Sequence, residues 1–405
     1  MDVIQSSLRL IFTSASPRKI TNNSFWEVGI SICDELGLKD FDYDIILSIE
    51  PIRQNSHHYI RFLSDFLGSP HLVLKKISNY QHILRLKVEY SDDKSSNLAS
   101  DKSFRFKVVG KATKSISEAD SLQGYDQHRS FSIQVLPALS NVIYLSDQVD
   151  HVEFYEKTET CRELKFNEQL LKKWSKKGYP CDNNTSNDYN FRDSDAIIAV
   201  ECPSEFGFFA VLWDAAFCLA AYLTSHHEYD LSDKSLIELG AGTGLLGVLC
   251  YKYLGAKPVV VTDIPPITSL IHRNLLENNL SDIDSITVSD YEWGGELSHR
   301  SHLCQAEDRL KQTFDFIIGS DVVFDPAYWK SLWQSFQMLS NSNTVVILSF
   351  RLRNIQELDF FKCSEARDWN VYEKRVAQDY YNVTQGTKAG ELKIFALTKI
   401  SKYDA

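Results

Sequence analysis

The chain has 405 residues, 43% of them hydrophobic and 12% aromatic, with a formal net charge of −11. That length predicts two domains, or one domain with a long extension, and the composition is ample for a buried core. An acidic balance of this size excludes a broad basic face for gripping phosphate backbone, so no direct nucleic-acid partner is expected.

In chain order, the apolar patch Leu8-Arg9-Leu10-Ile11-Phe12 is short and interrupted by charge. It reads as the start of a helix rather than a signal peptide or a membrane span, and no membrane partner is expected. Apolar residues recur at helical spacing from Ser24-Phe25-Trp26-Glu27 onward and across residues 57–67, with Gly68 as a stop signal. The pair His57-His58 would point apart on a helix and has no third ligand at i+4, so no metal site is expected.

Residues 92–103 are polar and read as a loop, while Phe104 to Val109 and Phe131 to Leu136 alternate as strands. Glu163 to Lys177 reads as a helix, and the polar stretch from Cys181 to Asp195 is the better boundary. Residues 1–180 are therefore expected to form a mixed α+β extension, a candidate substrate-docking region, and residues 196–400 a second domain. Eight cysteines without a C-x-x-C pair indicate neither a zinc ribbon nor a disulfide framework. A reducing compartment fits, and a cytoplasmic location is expected.

From Ala196 the pattern sharpens. Ile197 to Val200 is a strand and Phe208 to Leu223 a long apolar helix carrying Trp213. Beyond it, strands at 236–239, 258–262, 285–289, 314–319, 344–349, 371–376 and 392–399 are interleaved with helices at 245–254, 266–278, 328–340 and about 355–367. This alternation predicts an α/β fold, a seven-stranded Rossmann-like sheet with flanking helices whose last two strands form an antiparallel end. Ser298 to Gln312 reads as a polar surface insert.

The stretch Leu236-Ile237-Glu238-Leu239-Gly240-Ala241-Gly242-Thr243-Gly244 is a buried strand that stops at alternating glycines and passes into a helix. Such a turn lets a nucleotide-type ligand lie against bare backbone. Gly242, Gly244 and Gly247 satisfy the G-x-G-x-x-G spacing, and Asp263 ends the next strand where a ribose-binding acid belongs, which leaves a dinucleotide and S-adenosylmethionine both open.

Glu238 before the loop and Ser320-Asp321-Val322-Val323-Phe324 after the fourth strand shift the balance. With them the stretch resembles motif I of the seven-β-strand methyltransferases that use S-adenosylmethionine. The resemblance implies that Glu238 supports the loop, that Gly240, Ala241 and Gly242 pass under the methionine part of the cofactor, and that Asp263 chelates the ribose. Asp321-Val322-Val323-Phe324 is similar to the Asp-x-x-Tyr/Phe signature of the protein lysine methyltransferases with this fold. By that resemblance Asp321 orients the substrate amine and Phe324 walls its channel. Trp213 would lie beside the cofactor, Glu292 and Trp293 would frame the adenine as in a Leu-Asp-Trp-Gly signature, and Ser320 would complete the adenine wall.

Trp213-Asp214-Ala215-Ala216, Arg353-Asn354 and Phe62 to Leu67 further resemble the elongation factor 2 lysine methyltransferase family. The resemblance implies a protein substrate, elongation factor 2, methylated on lysine. Three alternatives stand beside it: the same fold acting on histidine or a small molecule, a non-catalytic scaffold, and a nicotinamide-dependent oxidoreductase. A flipped nucleic-acid base is a poor substrate, because Val322-Val323 stand where the amino-methylating DNA enzymes carry two prolines.

Overall fold

The computed structural model describes residues 196–297 except 227 and 282, residues 313–375 and 391–400, and, between residues 8 and 165, the strands together with Glu159. The chain divides into two compact units, one formed by Gln5–Glu163 with Glu201–Gly207 and the other by Met1–Ile4, Leu164–Val200 and Phe208–Ala405.

In the first unit the segments expected to be helical are strands. Phe25–Cys33 pairs antiparallel with both Leu8–Phe12 and Gln81–Ser91, and Tyr59–Ser64 pairs antiparallel with Gln81–Ser91. Trp26, Val28, Ile30 and Ile32 alternate with Glu27, Gly29 and Ser31, a period of two that overrides the scattered helical spacing. The segment read as a helix from Glu163 begins inside the strand Thr160–Lys165. The strands expected at 104–109 and 131–136 correspond to Ser103–Thr113 and Gln134–Leu139. His57, His58, residues 166–195 and the polar stretches at 92–102 and 298–312 lie outside the described residues.

The second unit is built on seven strands: β1 (Leu236–Leu239), β2 (Val259–Asp263), β3 (Ile286–Asp290), β4 (Phe314–Ser320), β5 (Ser340–Leu352), β6 (Trp369–Lys374) and β7 (Glu391–Lys399). Their order across the sheet is β3-β2-β1-β4-β5-β7-β6. The first five run parallel, and β7 is antiparallel to both β5 and β6. Every residue of β1 and β2 is buried, as near-continuous apolar strands covered on both faces must be.

The helices are α1 (Asp214–Ser225), α2 (Leu245–Leu254), α3 (Pro265–Glu277) and α4 (Trp329–Leu339). On α4 the buried Leu332, Trp333, Phe336 and Leu339 make one apolar stripe, and Trp333 stacks on Phe360 at 4.9 Å. The α3 side chain of Asn274 accepts from Val200 N–H at 2.7 Å and donates to the Thr243 carbonyl at 2.8 Å. One buried amide thus ties a strand segment and the glycine loop to the same helix.

Two helical expectations change. The segment from Phe208 is not one helix: Gly207–Ala210 form a 3-10 turn, and α1 starts only at Asp214, with Trp213 in an extended conformation before it. The Trp213 indole N–H donates to the Phe208 carbonyl at 3.2 Å, closing a turn that a continuous helix would not have. The stretch near 355–367 is two 3-10 segments, Ile355–Lys362 and Ser364–Asp368.

Candidate active site

The glycine loop begins at the carboxyl end of β1. Gly240, Gly242 and Gly244 all take left-handed φ values, of 63°, 56° and 75°, which disfavour any side chain. A Cβ on Gly240 would approach Val322 at 2.9 Å and the Trp293 ring at 3.0 Å, and one on Gly242 would meet the Phe209 carbonyl at 3.0 Å. The backbone here is bare because its surroundings leave no room for side chains.

Two buried acids hold the loop in place. Glu238 accepts the Gly247 N–H at 2.7 Å, joining the strand before the loop to the helix after it. Burial pushes its carboxyl up to about 8. Asp263, at the end of β2, accepts from Gly242 N–H at 2.8 Å and Ile264 N–H at 2.7 Å. Burial raises this carboxyl too, against the lowering effect of those two donors. Each Asp263 oxygen keeps a further lone pair for a ligand hydroxyl.

The third strand turns back into the site at Tyr291, whose N–H donates to the Asp263 carbonyl at 2.9 Å. Glu292 and Trp293 follow, and Trp293 meets Tyr328 edge to face at 6.1 Å. Ser320 ends β4.

Asp321 lies just past β4 with φ 57°, a left-handed conformation that Asp adopts more readily than most residues. Its N–H donates to the Ser349 carbonyl at 2.7 Å, and its carboxylate is gripped by Arg353 through two bonds of 2.9 and 2.7 Å. The Arg351 N–H adds a longer bond of 3.3 Å. The Arg353 guanidinium sits 5.4 Å from the Trp213 ring centroid, and the Arg353 backbone N–H donates to Glu357 at 3.0 Å. Burial raises the Glu357 carboxyl.

Behind this pair, Arg351 bridges Asp214 at 2.5 Å, both buried. Phe324 is 41% exposed, so it is not a core residue; it meets Phe208 edge to face at 6.4 Å, and Phe208 packs on Phe209 at 4.1 Å.

All eleven residues singled out from the sequence line one cavity of about 740 Å³: Trp213, Glu238, Gly240, Ala241, Gly242, Asp263, Glu292, Trp293, Ser320, Asp321 and Phe324. It opens at the carboxyl ends of the parallel strands, where open α/β sheets take ligands. The cavity also contains Phe208, Phe209, Tyr328, Arg353 and Glu357, which were not assigned a site role from the sequence. Arg353 had a usable signal, since it follows β5 as Asp321 follows β4. The adjacent phenylalanines had none, because a continuous helix would have carried one of them away from the cavity.

The size, bare loop and terminal acid fit a nucleoside-bearing cofactor. A family model described as lysine methyltransferase matches residues 192–367. Protein N-lysine methyltransferase METTL21A of Xenopus tropicalis is 35% identical over 39% of this chain and 67% of its own length. EEF1A lysine methyltransferase 3 of Xenopus tropicalis is 31% identical over 41% of this chain and 67% of its own length. METTL21A of Mus musculus is 32% identical over 40% of this chain and 69% of its own length. The chain belongs to the lysine methyltransferase family. The cofactor of this methyltransferase family is S-adenosylmethionine. The chain spans about two thirds of the length of these relatives, and the matches fall in the part that holds the cavity.

Proposed function

We propose that the cavity brings S-adenosylmethionine and a protein lysine together, with the cofactor along the glycine loop and the acceptor entering past Phe208 and Phe324. The observation carrying this reading is one cavity that joins a bare glycine loop and Asp263 to an aromatic-walled acid, Asp321. Bound, the cofactor supplies an electrophilic methyl group on a sulfonium.

The chain's own work is alignment and control of a proton. A lysine ammonium has a reference pKa of about 10.4, and it must lose its proton before its nitrogen can attack. Phe208, Phe324 and Tyr328 strip water from the entering stem, which disfavours the charged form. The Asp321 carboxylate, pinned by Arg353, has a lone pair left to accept one amine N–H and aim the nitrogen. Asp263 would take the ribose hydroxyls, and Trp293, Glu292 and Ser320 would surround the adenine. Trp213 would lie beside the cofactor.

The favoured acceptor is elongation factor 2, on the likeness carried by Trp213 to Ala216 and Arg353-Asn354, with residues 1–180 as its docking region and the cytoplasm as the place of reaction. One relative is named for EEF1A, which makes that factor the second candidate. The test presents recombinant, unmethylated elongation factor 2 and EEF1A together to the enzyme with methyl-labelled S-adenosylmethionine, beside the Asp321→Ala variant. Label on a lysine of elongation factor 2, lost with the variant, is the expected result. Label on EEF1A alone replaces the acceptor and keeps the chemistry, while label on a histidine overturns the lysine assignment.

A further inference from the structure

The charged groups in the cavity lining are Glu238, Asp263, Glu292, Asp321, Glu357 and Arg353. Among the described residues that line it, Arg353 is the one cation. Both of its terminal nitrogens reach Asp321, whose side chain is 5% exposed against 26% for Arg353, and one of them also reaches the Arg351 carbonyl at 3.3 Å. Arg351 gives Asp321 a backbone N–H, and its guanidinium pairs with Asp214. Nothing else among the described residues of the lining stands ready to neutralise Asp321.

This arrangement answers a difficulty in the reaction. A carboxylate beside an ammonium stabilises the charged form and raises its pKa by about 1–3 units. An acceptor lysine next to a bare, buried Asp321 would bind well and remain protonated, with no lone pair for attack. A carboxylate–guanidinium pair has close to no net charge as a whole, yet its carboxylate still offers an acceptor lone pair along a fixed direction.

We propose that Arg353 is a positioning residue that cancels the charge of Asp321, so that the site holds the acceptor as a neutral amine rather than an ammonium. This rests on the lysine acceptor assigned above. The amine releases its proton to solvent on entering; its lone pair then forms the N–C bond as the C–S bond breaks, and the sulfur leaves as a neutral thioether. Trp213 lies against the guanidinium, and Glu357 fixes the main chain that carries it through the Arg353 backbone N–H. The remaining cavity acids, Glu238, Asp263 and Glu292, and the tyrosines Tyr291 and Tyr328, are the other titratable groups around the ligand space.

The test compares the full chain with Arg353→Met, Arg353→Lys and Asp321→Asn in two measurements. The first needs no acceptor: calorimetric affinities for the cationic S-adenosylmethionine and the neutral S-adenosylhomocysteine report the charge at the reacting end. Arg353→Met should shift preference toward the cation several-fold, Asp321→Asn should shift it the other way, and Arg353→Lys should restore the wild-type ratio. The second is the pH profile of kcat on recombinant elongation factor 2. Its acidic limb should move up by about one pH unit in Arg353→Met, with KM unchanged or lower, and return in Arg353→Lys.

An unchanged affinity ratio with kcat lowered by the same factor at every pH would reduce Arg353 to a structural prop and overturn the proposal. Should wild-type enzyme label no lysine, the acceptor reading fails by itself, and the affinity ratios still decide the charge assignment. Should Arg353→Met fail to fold, Asp321→Asn carries the same comparison with the opposite sign.

Discussion

The two ends of the cavity are made of different materials. Around the glycine loop the ligand surface is largely backbone, and the acids that matter there are buried and bonded to N–H groups of Gly247, Gly242 and Ile264. Around Asp321 it is side chains: Phe208, Phe324 and Tyr328 are 54%, 41% and 51% exposed, and one ion pair fixes the acid. A backbone cradle suits a ligand that never changes. A rim of half-exposed rings suits an acceptor chain whose aliphatic stem needs apolar cover and little else.

Substitutions at the two ends should separate accordingly. The largest effect is expected from Asp263→Ala, which strips the Gly242 and Ile264 N–H groups of their acceptor and removes the proposed partner of the ribose. Hydrogen bonds to a charged group are worth about 1.5–3 kcal/mol each, so the affinity for S-adenosylhomocysteine should fall at least tenfold by calorimetry. Wild-type affinity in this variant would break the assignment of the glycine-loop end to the cofactor.

A middle effect is expected at Glu238, on stability. Its carboxyl is raised from 4.5 to about 8 in the fold. Between those values the folded chain holds a proton that the unfolded chain has released, so stability falls as pH rises through that window, and the cost is complete above it. The slope is at most about 1.4 kcal/mol per pH unit. Glu238→Gln keeps an acceptor for the Gly247 N–H and should flatten the slope in urea unfolding followed from pH 5 to 8.5; an identical slope in both proteins would remove Glu238 as its source.

The smallest effect is expected at the rim. Phe208→Ala removes one edge-to-face contact, worth about 0.5–1.5 kcal/mol, so the acceptor KM should rise about two- to tenfold. Cofactor affinity should stay as it is. A loss of cofactor affinity equal to the loss for the acceptor would erase the distinction between the ends.

The cofactor end was legible early because its requirements are local. Gly240, Gly242 and Gly244 must reach left-handed φ, and Glu238 and Asp263 sit next to the backbone they bond, so a few consecutive residues carry the pattern. The acceptor end was legible in Asp321 and Phe324, which stand three residues apart just past the end of β4. Arg353 lies 32 positions beyond Asp321, and no pattern of apolar spacing announces an ion pair across two strands. The apolar run of Phe208 and Phe209 continues into a real helix, so along the chain the two read as part of it. The indole of Trp213, bonded to the Phe208 carbonyl, helps close the separate turn that puts both rings on the cavity.

In the amino-terminal unit the strands replace the expected helices for a different reason. Leu8–Phe12, Phe25–Cys33 and Tyr59–Ser64 are strands whose pairing partners lie far away in sequence, and short apolar runs fit either period until those partners are known. The alternating α/β order, the seven strands, the glycine turn and the positions of its acids are all readable along the chain, because strand burial and backbone bareness are written in neighbouring residues. The grip of Arg353 on Asp321, the pairing of Arg351 with Asp214 and the broken helix that brings Phe208 to the mouth of the cavity emerge in the folded chain alone. Those are contacts between elements, and charge pairing and ring packing act through space rather than along the chain.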